Sequence, residues 1–550
     1  MTYEFDLGGF GRPITTASAE AQAWFDRGLA WTYGFNHEEA IHCFRKALEA
    51  DPDCAMAHWG LSYAIGPNYN KPWEAFDDNE LTECLQAAFD SARQAKTLSA
   101  TGTATERSLI DALLKRYPER ESPGDMTAWN DAYAAAMRTV NRDCPGDTDV
   151  EALFAEALMN RSPWALWDLA TGAIADGADT AEARAVLEGA MTRLSETGAR
   201  PHPGLLHMYI HLMEMSPTPE KALPAGDLLR DLIPDAGHLQ HMPTHIDVLC
   251  GDYLSVVDSN GAAILADGRY VEKRGSVNFY TLYRCHNFHF RAYGAMFLGQ
   301  FGPALAAADD MIGTLPETLL RVESPPMADW LEGFVPVRQH VLIRFGKWPE
   351  ILEQDLPRDP DLYSVTTATM RYARAIARAS RGETEAADRE AEAFDAAYDR
   401  VPESRYLFNN SCRDILAVAR EMMRGEIRYR KGDIDAGFAH LRTAVKLDDS
   451  LPYDEPWGWM QPVRHALGAL LLEQGRIDEA AAVYRADLGF DDTLSRACQH
   501  PDNVWSLSGY QECLERLGQD DLAAIVRQRL DLALARADVP IRTSCFCRLE

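Results

Sequence analysis

Apolar residues recur along this chain in steps of three and four, the period of a helix that buries one face. The run "WFDRGLAWTYGFNHEEAIHCFRKALEADP", residues 24–52, shows the pattern most fully. Trp24, Gly28, Ala40, Phe44, Ala47 and Pro52 fall at positions 4, 8, 20, 24, 27 and 32 of a helix–turn–helix unit about 34 residues long. Position 7 is Arg27 where a leucine is usual. Small residues at positions 8, 20 and 27 let two antiparallel helices approach closely. Large residues fill the gap between them, and the proline ends the second helix.

The unit returns near the C-terminus. "HALGALLLEQGRIDEAAAVYRADL" places Leu467, Gly468, Ala480 and Tyr484 at positions 7, 8, 20 and 24, and "GEIRYRKGDIDAGFAHLRTAV" is a weaker copy with Gly425 and Ala444. Between 70 and 200 the pattern is degraded but still helical, and "YPERESPGD", 117–125, reads as a long turn. Strand-like alternation is almost absent. The prediction is an all-α fold, a right-handed superhelical solenoid of about a dozen stacked hairpins. Four regions follow: an N-terminal repeat over 1–70, degenerate repeats over 71–200, a histidine-rich groove over 201–316 and C-terminal repeats over 317–550.

Charge narrows the partners. The 550 residues carry a net charge of −30 with a pI near 4.9, which argues against nucleic acid and anionic membrane. No apolar run is long enough to span a bilayer, and "MTYEFDLGGFGRP" has neither the basic nor the apolar stretch of a signal peptide. Eleven cysteines without a framework spacing point to reduced thiols in a cytoplasm.

Two stretches go beyond helical packing. "HMYIHLMEM", 207–215, and "HLQHMPTHI", 238–246, each hold a histidine pair four residues apart, His207/His211 and His241/His245, offset by 34 residues. Ala222, Leu229 and Pro234 anchor one unit at positions 20, 27 and 32, with Thr218–Pro219 as N-cap and first-turn proline of its second helix. Counting back, His207, His211 and Glu214 take positions 5, 9 and 12 of its first helix. With "GDY", 251–253, as the next interhelix turn, His238, His241 and His245 take positions 2, 5 and 9, and Pro243 interrupts or starts that helix. After an insertion of about fourteen residues, His286, His289 and Tyr293 take the same three positions.

Positions 2, 5, 9 and 12 lie on one stripe of the first helix, and neighbouring helices pack roughly 8–10 Å apart. The imidazoles of His207, His211, His238, His241, His245, His286 and His289 are therefore expected to converge as metal ligands. Glu214 and Tyr293 are the candidate catalytic groups beside them. Neutral imidazole binds copper, iron, nickel and zinc, and this many donors leaves room for about one or two ions. No cysteine stands at positions 5 or 9, which argues against a closed structural zinc site and favours copper or iron. Asp247 and Asp252 are candidate partners for the imidazole N–H groups.

Other features carry less chemistry. Cys545 and Cys547 form a C-x-C pair expected as ordinary reduced thiols, with soft-metal or redox roles as alternatives. "YDEPWGWMQP", 453–462, reads as a packed loop, and His340, His465 and His500 share no frame with the rest. No phosphate-binding glycine motif or serine elbow appears.

The runs "FNHEEAI", "HMYIHLMEMSPTP", "AGHLQHMPTHI", "CHNFHF", "RFGKWPEIL", "PVRHALGALLLEQG" and "YRADL" resemble a histidine-rich, mainly bacterial group of tetratricopeptide-repeat proteins along most of the chain. That resemblance implies a helical solenoid and carries no assigned reaction. The function expected from the residues is a metalloenzyme, an oxidoreductase acting on a small molecule or peptide through histidine-bound copper or iron. A zinc-dependent hydrolase is the alternative enzyme. A peptide- or protein-binding scaffold, or a metal carrier, is the alternative of another class. Oligomeric state is left open.

Overall fold

Local signals start the helices where the periodicity places them. Ser18 accepts from the N–H of Ala21, Asn36 from Glu39, Asp147 from Val150 and Asn503 from Ser506. Thr103 and Glu106 cap each other reciprocally in front of the helix Ala104–Arg116. The computed structural model describes residues 3–549 and is all-α. Among the described residues the one sheet is a two-stranded ribbon, Tyr406–Leu407 against Asn410–Ser411. No helix there is long and apolar enough to cross a membrane.

The chain forms two compact units. The first comprises the residues up to Ile246 together with Ala262–Arg284, and the second comprises Asp247–Gly261 with the residues from Cys285 onward. Each is a stack of helical hairpins. In the first, Ala19–Tyr33 packs on His37–Ala50, His37–Ala50 on Ala55–Ile65, and Ala55–Ile65 on Asp78–Leu98. In the second, Ser364–Ser380 pairs with Thr384–Tyr398, Cys412–Arg430 with Ile434–Asp449, Val463–Glu473 with Ile477–Asp487, and Val504–Arg516 with Asp520–Leu534.

The small-against-large logic of the repeat is visible in both units. The buried Phe44 ring lies between Gly28 and Gly60, and a Cβ at either glycine would stand 2.7 or 2.4 Å from it. Tyr484 lies in the same way between Gly468 and Gly509, with corresponding distances of 2.4 and 2.3 Å. Each ring therefore fills space that only a missing side chain provides.

One local expectation changes, at Thr218, while the break at Pro243 falls as expected and the insertion takes a defined form. Thr218 makes no side-chain cap, and the segment opens as a 3-10 turn, Pro219–Ala222, that runs into Leu223–Leu229. Pro243 splits its helix into Gly237–His241 and Pro243–Leu249, because its ring cannot continue the ladder. The inserted residues before the third histidine run lengthen a helix, Tyr253–Arg274, to 22 residues. The expectation of reduced thiols at the tail is corrected as well. Cys545 and Cys547 are joined as a disulfide with their Cα atoms 5.2 Å apart, while the other nine cysteines are not disulfide-bonded. The tail is held in place around them. The Ser544 carbonyl accepts from Arg344 at 3.1 Å, and the Ser544 hydroxyl donates to the His465 carbonyl at 2.8 Å.

Candidate metal centre

His207 and His211 stand one turn apart on the helix Pro203–Glu214 of the first unit. That helix starts on another histidine. His202 Nδ1 accepts from the Leu205 N–H at 3.2 Å, while its Nε2 donates to Asp149 at 3.1 Å, and Pro203 takes the first helical position. Gly204 then lets the helix lie on the Tyr33 ring, which a Cβ would approach to 2.5 Å.

At the end of the helix Ala19–Tyr33, the Tyr33 carbonyl oxygen lies 2.7 Å from His207 Nδ1. A carbonyl only accepts, so Nδ1 carries the hydrogen and Nε2 of the neutral ring presents a lone pair. Glu214 does the same for two rings. Its Oε1 is 3.0 Å from His211 Nδ1, and its Oε2 is 2.8 Å from His245 Nδ1. With both oxygens accepting from Nδ1, Nε2 is left bare on both imidazoles.

His238 and His241 come from the short helix Gly237–His241. The His238 N–H donates to the Tyr280 hydroxyl at 3.2 Å, and that hydroxyl donates to Asp267 at 2.9 Å. Gly237 must lack a side chain here, since a Cβ would fall 2.0 Å from the Asp267 oxygen. His241 Nε2 lies 2.7 Å from His245 Nε2. With His245 giving its hydrogen to Glu214, His241 is the donor in that contact.

These side chains leave donors unused. His207 Nε2, His211 Nε2 and both ring nitrogens of His238 are buried without a hydrogen-bond partner. One donor atom from each of the three rings lies within 4.8 Å of the others, and His211, Glu214 and His245 form a second such group. An ion with metal–nitrogen bonds of about 2.0–2.1 Å spans donors roughly 3–4 Å apart, so modest side-chain closure would complete a site. Burial, followed by repulsion from neighbouring imidazoles, holds the pKa of His207, His211 and His238 well below the usual histidine range. The rings are therefore neutral at neutral pH, the state that binds metal.

An aromatic wall encloses the three rings. The Phe35 centroid is 4.4 Å from that of His207, and the ring stacks at 5.9 Å on His211 and 5.8 Å on His238. Tyr69 lies 5.0 Å and Trp164 5.7 Å from His211, and Tyr283 lies 4.5 Å from His238. Phe35 and Trp164 both hold positive φ, 53° and 56°, which is costly for bulky residues and tends to gather at functional sites.

The remaining candidates sit in the second unit. His286 faces Phe290 and Phe408, His289 faces Phe334 and Met460, and Tyr293 packs at a tilt against Phe297. Asp247 is buried on the helix Pro243–Leu249. Asp252 does not reach an imidazole. It caps the helix Tyr253–Arg274, accepting from the N–H and the hydroxyl of Ser255. Sequence reasoning passed over Phe35, Tyr69, Trp164 and Tyr283, whose positions follow no shared register. A bulky residue between Gly34 and Asn36 in an interhelix turn was the one available signal.

Residues 21–54 match the family model for the tetratricopeptide repeat. No curated protein matches the chain. Among solved structures, the chain is similar to a complex of Naa15/Naa10 bound to HypK-THB at 12% identity, covering 93% of this chain and 70% of that one with a TM-score of 0.21. It is also similar to yeast Tom70 at 11% identity, covering 94% of this chain and 98% of that one with a TM-score of 0.27.

Proposed function

We propose that this chain, a tetratricopeptide-repeat protein, binds a transition-metal ion on His207, His211 and His238 and acts as a metal-dependent oxidoreductase on a small molecule or peptide. One observation carries the reading. Three fully buried imidazoles leave nitrogens unpartnered, and two of them are locked in the ligating tautomer by acceptors on their far side. Leaving such atoms unsatisfied costs about 1–3 kcal/mol each, a cost that a bound cation removes.

Three neutral nitrogen donors leave coordination positions open, as a reactive ion needs and a structural zinc site does not. That favours copper or iron, and the ion would supply electron transfer. The chain's own residues do the rest. Tyr33 and Glu214 orient the rings, Glu214 offsets positive charge and raises the basicity of His211, and the Phe35–Trp164–Tyr69 wall excludes water. His245, tied to the same carboxylate, and its partner His241 are positioned for a second ion or for proton transfer.

The repeat at residues 21–54 favours a second reading, a peptide-binding scaffold without chemistry. Elemental analysis of protein purified without chelators decides between the two. The metal reading gives about one or two copper or iron ions per chain, and His211→Ala loses most of that metal while its circular dichroism stays helical. A wild-type protein that neither retains nor takes up copper, iron or zinc ends the metal reading. Zinc as the only transition metal found by elemental analysis would move the assignment to a hydrolase.

A further inference from the structure

The second unit holds a different set of donors around a small enclosed cavity. His289, on the helix Tyr280–Leu298, and His340, on Val337–Arg344, both line it, together with Met460 and Cys412. His289 and His340 are 2% and 6% exposed. His289 Nδ1 and His340 Nδ1 are both buried without a partner. His289 Nε2 lies 3.0 Å from Met460 Sδ, an atom that has no hydrogen to give. The space left among these side chains holds little more than one water-sized occupant.

We propose that His289, His340 and Met460 form a second metal site, separate from the histidine cluster of the first unit and selective for monovalent copper. Softness is the first argument. A thioether with two imidazoles selects Cu(I), whereas the cluster in the first unit offers nitrogen and carboxylate donors alone. Geometry is the second. With bonds of about 2.0 Å to nitrogen and about 2.3 Å to sulfur, the two donors of a tetrahedral site stand roughly 3.5 Å apart, so the 3.0 Å contact between Nε2 and Sδ would open by about half an ångström to admit the ion. Charge is the third. All three donors are neutral, so the cavity would bury a single positive charge, which costs less than burying two.

Cys412 does not join the set. Burial, with Glu332 beside it, pushes its thiol well above the usual range, and it remains protonated on the wall. Phe334 packs edge-on against His289, and Trp459 against His340, so both rings are held against rotation.

The site predicts a sulfur neighbour that the first unit does not supply. The full-length protein is titrated anaerobically with Cu(I) against a chromophoric Cu(I) chelator, and the loaded protein is read by X-ray absorption at the copper edge. His211→Ala should still take one Cu(I), with one sulfur at about 2.3 Å. Met460→Leu, which conserves volume, should lower that affinity at least tenfold and abolish the sulfur signal, and His340→Gln should lower the affinity while keeping the signal. Unchanged Cu(I) affinity in Met460→Leu overturns the site. So does a sulfur signal that survives the substitution, which would assign it to a cysteine, or a copper environment without sulfur in the wild type, which would leave a water molecule between the two histidines. With Met460→Leu and His340→Gln made in the His211→Ala background, and that background read in place of the wild type, none of these outcomes depends on whether the first unit binds metal.

Discussion

His207 Nδ1 lies 2.7 Å from the carbonyl oxygen of Tyr33, although 174 residues separate them. The final turn of the first helix thus decides which nitrogen His207 shows to its neighbours. On the proposed metal reading His207→Ala removes a ligand, and it also leaves that carbonyl without its donor. The variant should bind metal at least tenfold more weakly, and its metal-free form should lose roughly 1–3 kcal/mol of stability. Chelator competition and urea unfolding measure the two effects.

Glu214 serves His211 and His245 with separate oxygens. A glutamine side chain in its place would keep one acceptor and replace the other with a donor, so one of the two rings must give up its tautomer. Glu214→Gln should weaken metal binding by about 10–100-fold while retaining the fold. An unchanged affinity would show that the carboxylate does not orient the ligands.

The depressed pKa values of His207, His211 and His238 set a direction for acid sensitivity. Below about pH 6.5 the unfolded chain protonates these rings and the folded chain does not. Stability of the metal-free protein is therefore present above that pH and is lost as pH falls towards the depressed folded values. The urea midpoint should fall between pH 7.5 and pH 5.5, and replacing His238 with Phe should shrink the fall. Equal falls in the two proteins would refute this account.

Asp448 acts in the opposite direction. Burial, with Asp449 alongside, pushes its carboxyl up to about 8, while its oxygens accept from the Trp457 indole at 3.1 Å and the Val463 N–H at 3.2 Å. The folded chain keeps a proton that the unfolded chain releases above about pH 4, so this group makes stability decline as pH rises from there to about 8. Asp448→Asn should flatten the dependence of Tm on pH between 6 and 8, whatever its absolute stability.

Gly60→Ala would place a methyl group 2.4 Å from the Phe44 ring. Overpacking of this kind costs about 1–3 kcal/mol. Phe44→Leu should recover part of that loss when combined with Gly60→Ala, although it destabilises the protein alone. Denaturant unfolding of the four proteins in the cycle gives the coupling.

Much of this arrangement was legible because periodic positions report directly on helix faces. Gly28 and Phe44 announced the first hairpin, Gly468 and Tyr484 a late one, and His207, His211 and Glu214 one face of one helix. The spacing also carried His238, His241 and His245 to the same neighbourhood across the break at Pro243. It failed for contacts that no repeat specifies. Phe35 and Trp164 reach the imidazoles from turns with positive φ, a choice set by tertiary packing. His340 and Met460 come from distant segments without a common frame, so the cavity around His289 left no trace in spacing. The Cys545–Cys547 pair follows Ser544, whose partners Arg344 and His465 lie far away along the chain.

The glycine-flanked rings have a consequence for how this chain can change length. Sliding either neighbouring helix by one residue moves it about 1.5 Å and turns it about 100°, presenting Arg27 or Leu29 in place of Gly28, or Trp59 or Leu61 in place of Gly60. Phe44 has no room for any of them, so the hairpins are phase-locked. Changes of length are therefore expected to fall at the connections, such as the helix-free stretch 117–126, and to leave the register of ring against glycine intact.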